Sequence, residues 1–143
     1  MASIELINLT KKFGDLTAVN DLNLVIPDKE FVALLGPSGC GKTTTMNMIA
    51  GIEMPSEGSI LFGGEDMRTI PANKRDVGFV FQNYAIFTHM TVRKNLEFGL
   101  KVRGVEKSEI KRRVQNMADL MRLNDRLDWR TSKLSVNELQ KVA

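Results

Sequence analysis

Eight consecutive residues carry the most specific chemistry in this chain. Gly36-Pro37-Ser38-Gly39-Cys40-Gly41-Lys42-Thr43 fits Gly-x4-Gly-Lys-Ser/Thr, a spacing in which glycines let successive backbone N–H groups curl around an oxyanion. A helix starting at Lys42 would add its own unsatisfied N–H groups and the positive end of its dipole. Lys42 is then placed to reach the β- and γ-phosphates of a nucleotide. The Thr43 hydroxyl would complete the coordination of Mg2+. The competing reading is a glycine-rich turn with a chance lysine, and the flanks decide between them: an apolar run precedes the loop and a helix-forming run follows it. Cys40 is the single cysteine. A thiol near a helix start is activated in some proteins, but loop chemistry of this kind uses amides, so Cys40 reads as a small side chain whose backbone contacts phosphate.

The elements that must hold the loop follow from pattern. Ile4 to Leu9 and Leu22 to Ile26 alternate partly between apolar and polar residues, as strands covered on one face do. Pro27-Asp28-Lys29-Glu30 reads as a turn. Phe31-Val32-Ala33-Leu34-Leu35 is continuously apolar and predicts a strand buried on both faces. Lys42 to Ala50 predicts a helix stopped by Gly51. Ser59 to Phe62 and Val77 to Phe81 predict two further strands. From Thr91 the period becomes helical: Thr91 caps a helix to Leu100, and Ser108 caps a longer one with Glu109 in its first turn. Ile110, Val114, Met117 and Met121 make one apolar stripe along it, with the methionines as adaptable core filling.

Composition sets the class. The chain has 143 residues, 43% hydrophobic and 26% charged, with a net charge of +3, the balance of an ordinary globular domain. One cysteine rules out an internal disulfide framework and a multi-cysteine zinc site. The N-terminal sequence shows no secretory pattern. Phe31–Leu35 is far shorter than the ~20 apolar residues that cross a bilayer. Residues 1–100 hold 9 Lys/Arg against 11 Asp/Glu, and residues 101–143 hold 11 against 6. The basic third alternates with apolar residues at helical spacing and has few aromatics, which describes solvated helix faces rather than a nucleic-acid surface. His89, the only histidine, has no companions for a metal site or a catalytic triad and reads as structural.

The loop, the 35 residues before it and Phe79-Val80-Phe81-Gln82-Asn83-Tyr84-Ala85-Ile86-Phe87 together resemble the ATP-binding subunits of ABC transporters, over the whole chain. Gly36 to Thr45 and Phe81 to Ala85 are most similar to the maltose and glycerol-phosphate importer branch. The resemblance implies an α/β fold of the P-loop NTPase (ABC ATPase) type, represented by its N-terminal part. An antiparallel β subdomain and an incomplete RecA-like core would occupy residues 1–87. A helical subdomain would occupy residues 88–143. It also implies ATP and Mg2+ as cofactors. Gly36, Pro37, Ser38, Gly39, Cys40, Gly41, Lys42, Thr43 and Thr44 would hold the phosphates, Gln82 would touch Mg2+ and the attacking water, and Phe13 in Lys-Lys-Phe-Gly would stack on adenine. Without the resemblance, Phe13 reads as a core residue. Tyr84, Ile86, Phe87 and Met90 would form a wall for a partner's coupling helix, or ordinary core. The implied partners are membrane-spanning permease subunits and a second ATPase subunit, with no nucleic acid. The implied location is cytoplasmic, peripheral on the membrane through the permease.

The resemblance departs in two places. The family signature Leu-Ser-Gly-Gly-Gln, which grips ATP bound to the opposite subunit, aligns with Leu134-Ser135-Val136-Asn137-Glu138. Ser135 still offers a hydroxyl, but Val136 and Asn137 obstruct the close backbone approach that glycine permits, and Glu138 brings a carboxylate. The sequence also ends before the stretch that carries the Walker B aspartate, the catalytic glutamate and the switch histidine, so it reads as truncated, and ATP binding without meaningful turnover is expected. A positioned general base typically contributes ~10²–10⁴-fold. Two other classes stay in view. One is a degenerate module that binds nucleotide or a partner without catalysis. The other is a small-molecule phosphoryl transferase, against which the leader strands and Gln82 count.

Overall fold

In a computed structural model, residues 2–143 are described. The chain forms two compact units, the first ending at Phe79 and the second running over Val80–Ala143.

In the first unit, β1 (Ile4–Phe13), β2 (Leu16–Ile26), β3 (Glu57–Phe62) and β4 (Glu65–Asp66) form an antiparallel sheet of order β2-β1-β3-β4. The partial alternation seen in the sequence has a local cause. Registers shift between Leu6 and Leu9, where Asn8 takes φ 48°, so Leu6 and Leu9, three apart, both point inward and are buried. Asn8 tolerates this left-handed conformation because its side chain bonds locally: its Nδ2 donates to Asp21 Oδ1 at 2.7 Å. One helix, α1 (Lys42–Ala50), adds Met48 and Ile49 to the core of Leu6, Leu9, Val19 and Ile60. Its limits are those the sequence predicts, and Gly51 ends it in the left-handed region.

Two expected strands are not present. Residues 31–37 form neither helix nor strand, and Phe31 is 93% and Leu35 91% exposed. A strand of a buried parallel layer is stable only with neighbours on its edges and cover on its faces. The four strands among the described residues bond only one another. Val77 to Phe81 likewise carries no strand.

In the second unit, α2 (Val92–Val102), α3 (Lys107–Met121) and α4 (Val136–Val142) enclose Val92, Ile110, Val114, Ala118, Leu123, Leu127 and Val142. Thr91 caps α2 as expected, its side chain accepting from the Lys94 N–H at 3.3 Å. The cap of α3 is Glu106, not Ser108. The Glu106 carboxylate accepts from both the N–H and the hydroxyl of Ser108, because an anion is the better acceptor at a positive helix start. The buried stripe is Ile110, Val114 and Ala118, while Met117 is exposed. Ala118, small and easily passed over in a hydrophobic count, takes the inward position at the four-residue step.

Candidate functional site: a phosphate loop facing an aromatic hairpin end

The hairpin between β1 and β2 turns through Gly14-Asp15, so that Phe13 pairs with Leu16 in the ladder. Both side chains are solvent-accessible. Lys11, bonded to Glu53 Oε1 at 2.8 Å and the Met54 carbonyl at 2.7 Å, holds its ammonium 4.8 Å from the Phe13 ring centre. Opposite this hairpin end lies the loop. A cleft of about 410 Å3 is lined by Phe13, Leu16 and Ala18 on one side and by Ser38, Gly39, Gly41, Lys42, Thr43 and Thr44 on the other. Lys42 is the only charged residue in that lining.

The loop is built to keep donors available. Gly41, the residue before α1, has φ 88°, no side chain caps the helix, and no acidic residue lies in its first turn. The helix start therefore offers free N–H groups and an uncompensated positive end toward the cleft. The Lys42 ammonium is held within the loop, donating to the carbonyls of Gly36 at 2.7 Å and Pro37 at 2.6 Å, with Cys40 Sγ at 3.2 Å. These three residues thus surround Lys42 rather than line the cleft. Thr45 is buried and donates from Oγ1 to the Gly41 carbonyl at 3.0 Å, which stiffens the turn into the helix.

The other predicted residues belong to the second unit. Gln82 is exposed, in a turn closed by a Tyr84 N–H to Phe81 carbonyl bond of 2.9 Å. Tyr84 (φ 64°) and Ala85 (φ 47°) follow in the left-handed region, a costly pair for residues with a Cβ. Beyond them, the Phe87 backbone is pinned by Asn95, with Phe87 N–H to Oδ1 at 2.9 Å and Nδ2 to the Phe87 carbonyl at 3.1 Å. Ile86 packs against the core, whereas Phe87 is exposed and meets Phe98 with ring centres 4.5 Å apart and planes tilted by 52°. His89 sits edge-on to Phe87 at 6.2 Å, and no group of metal-ligating side chains occurs among the described residues.

Ser135 caps α4 in a closed pair. Its hydroxyl donates to Glu138 Oε2 at 2.8 Å and accepts from the Glu138 N–H at 3.4 Å, while its own N–H donates to Oε2 at 2.9 Å. Arg126 Nε adds a bond to Oε1 at 3.0 Å. The backbone and hydroxyl of Ser135, then Arg126, lower the Glu138 pKa to about 2. The folded value lies below the ordinary carboxylate value, so this stabilisation is complete above about pH 4.5 and is lost as pH falls through about 2. An NMR titration of the Glu138 carboxyl carbon is expected to show that depressed midpoint. A midpoint near 4.5 would mean the cap is open in solution.

Sequence reasoning did not single out Leu16 and Ala18. The available signal was the Gly14-Asp15 turn: a two-residue turn necessarily sets Leu16 beside Phe13.

Mg2+ fits this site only in part. Thr43 supplies one exposed hydroxyl at the cleft, and the lining holds no carboxylate. That donor set suits an ion carried largely by nucleotide phosphates and water.

The family model described as ABC transporter matches residues 19–143. An sn-glycerol-3-phosphate import ATP-binding protein of Rhizobium johnstonii is 46% identical over 143 residues, which is 100% of this chain and 42% of that protein. A maltose/maltodextrin import ATP-binding protein of Yersinia pestis is 45% identical over 143 residues, 100% of this chain and 39% of that protein. A spermidine/putrescine import ATP-binding protein of Rubrobacter xylanophilus is 50% identical over 141 residues, 99% and 37% respectively. The chain thus spans about two fifths of the length of the curated relatives it matches. With the glycine-rich loop, its helix and the preceding hairpin all inside or adjoining the matched stretch, the chain belongs to the ABC transporter family.

Proposed function

We propose that this chain is the nucleotide-binding part of an importer's ATP-binding subunit, and that its cleft takes ATP with Mg2+. The observation that carries the reading is the shared cleft: an exposed aromatic ring and an uncapped, acid-free helix start face one space of about 410 Å3. That is the pairing a purine triphosphate needs, a flat apolar surface for the base and amides for the tail. Lys42 exchanges neutral carbonyl partners for phosphate oxygens, which bind an ammonium more strongly because they are charged. Thr43, whose hydroxyl lies at the cleft, would hold the metal together with the phosphates. The bound metal would neutralise phosphate charge.

In the whole protein, we propose that ATP binding and hydrolysis by a pair of such subunits are coupled to uptake through permease subunits at the inner membrane face. Carbohydrate cargo is our choice, in line with the relatives named for glycerol phosphate and maltose. No described helix is long and apolar enough to cross a membrane, and we assign membrane association to the permease as part of the same proposal. The division into a β subdomain with loop core over 1–87 and a helical subdomain over 88–143 remains our proposal for the domain plan.

One observation favours a second reading, a module that binds nucleotide without hydrolysing it. The Ser135 hydroxyl is committed to Glu138 within its own chain, so it is not free for an ATP on a partner subunit.

Titration with a fluorescent ATP analogue tests binding. Saturable binding that ATP competes away supports the cleft, and its absence overturns it. Phe13→Ala should weaken that binding modestly. Stacking contributes ~1–3 kcal/mol per base, and at a half-exposed ring about 1 kcal/mol, or roughly fivefold, is expected. An unchanged affinity would place the base elsewhere.

A further inference from the structure

The phosphate loop occupies one end of α1, and the other end is held by a group the proposed binding site does not use. Arg75 follows a short turn of 3₁₀ helix at Ala72–Lys74 and is 5% exposed. Its Nε donates to the Ile70 carbonyl at 2.7 Å. Its Nη1 donates to the carbonyls of Met48 at 2.7 Å and Ile49 at 2.8 Å, in the last turn of α1. Helix α1 carries no basic residue in that turn, so Arg75 supplies from outside the cation that the negative helix end favours. Gly51 is shaped around it: a Cβ there would lie 2.5 Å from Arg75 Nε and 2.9 Å from Cζ.

The arrangement is costly. Burial lowers the Arg75 pKa from its ordinary value, offset in part by the charge of Asp66. Nη2 is buried with no hydrogen-bond partner among the described residues. A buried cation with a spare donor is poor material for stability alone, since an apolar side chain of similar size would avoid the desolvation. What an apolar residue cannot do is bond three carbonyls from two segments and so fix where the helix lies along its axis.

We propose that Arg75 is a positioning residue for nucleotide: by clamping the carboxyl end of α1 it sets the axial position of Lys42, Thr43 and Thr44 at the amino end. The helix is nine residues long and therefore stiff over its length. Its amino end also lies close to β2 at Gly41, where an added Cβ would come within 2.4 Å of the Ala18 carbonyl oxygen. Displacement at one end is thus carried to the other. The inference rests on the ATP reading for its consequence, but its physical content does not.

The test uses the 143-residue chain with Arg75→Met, which keeps the apolar stem, and Arg75→Lys, which keeps the charge but cannot span three carbonyls. Hydrogen exchange is followed at the amides of Lys42–Thr45 and of Ile49–Gly51, and binding is measured with methylanthraniloyl-labelled ATP and AMP. In Arg75→Met, exchange should rise at both ends of α1. Affinity for the triphosphate should fall roughly tenfold, and affinity for the monophosphate much less, because the misplaced groups serve the outer phosphates. Arg75→Lys should lie between Arg75→Met and the unaltered chain in both measurements. Faster exchange confined to Ile49–Gly51, or equal losses for ATP and AMP, would show a local structural role and overturn the proposal. Failure of the unaltered chain to bind either label would strike the ATP reading, and the exchange at Lys42–Thr45 would still decide the role of Arg75. Should Arg75→Met not fold, the same comparison is made on Arg75→Lys.

Discussion

Lys42→Ala is expected to weaken ATP binding about 100-fold while leaving the fold intact. Two properties of the loop set that size. The ammonium is already held at the loop by the carbonyls of Gly36 and Pro37, 2.7 and 2.6 Å away, so the ordering of a long side chain, worth up to ~2 kcal/mol, is largely met before nucleotide arrives. A hydrogen bond to a charged group is worth about 1.5–3 kcal/mol, and contact with two phosphate oxygens makes a loss of about 3 kcal/mol, or ~100-fold in Kd, the expected outcome. The fold should not notice. The two carbonyl acceptors are in exposed positions and return to water, and surface substitutions of this kind usually change stability by less than about 0.5 kcal/mol. Lys42→Arg is expected to recover part of the affinity, since it restores the charge but not the compact ammonium that both carbonyls accept. Titration with a fluorescent ATP analogue, alongside a thermal melt, gives both readings. An alanine variant that binds as tightly as the parent would mean that the cleft does not hold the phosphates.

The parts of the structure that were legible in the sequence are those whose stabilising partners lie close along the chain. Helix α1 runs from Lys42 to Ala50 because the loop glycines and Gly51 mark both ends locally. The capping side chain of Thr91 reaches only as far as Lys94. The antiparallel strands were legible only in part: alternation marks residues 4–9 and 22–26, while the stretches of β1 and β2 nearest their two-residue turn, beyond the positive-φ positions Asn8 and Asp21, do not show it. Phe31 to Leu35 shows the opposite case. Its composition correctly describes a strand that wants burial on both faces, but composition says nothing about whether a neighbouring strand is there to pair with it. The result is an apolar run with Phe31 and Leu35 almost fully exposed. At the cleft, the loop residues announced themselves by type and spacing. Phe13 was singled out only by the family resemblance, and the fold brings the end of β1 to the same space. Ala18 and Arg75 could not be read from pattern, since one acts through its backbone carbonyl and the other through carbonyls far along the chain.

That role of Ala18 makes Gly41→Ala the second large effect. Gly41 stands at φ 88° directly before α1, a conformation that costs an L-residue roughly 1–2 kcal/mol. Here the steric term is worse than the conformational one. A Cβ on Gly41 would lie 2.4 Å from the Ala18 carbonyl oxygen and 3.0 Å from Val19 Cγ2. The first of these contacts is with the backbone of a paired strand, which has no flexible end to move aside. Overpacking typically costs about 1–3 kcal/mol, so a total near 3 kcal/mol is expected, and it must be relieved by lifting the start of α1 away from β2. That motion disturbs the two bonds that the Gly41 carbonyl accepts from Thr45, 2.8 Å from its N–H and 3.0 Å from its hydroxyl. It also widens the gap between the loop and the wall formed by Phe13, Leu16 and Ala18. Stability and ATP affinity should therefore fall together, unlike Lys42→Ala, where affinity falls alone. Gly39→Ala separates the two causes: Gly39 has a similar φ of 81°, yet nothing lies within 4 Å of its added Cβ. It should lose only the smaller, conformational part, seen as a melting temperature between those of the parent and Gly41→Ala. If the two alanine variants melt alike, the close approach of the loop to β2 contributes nothing, and the cleft is shaped by backbone conformation alone.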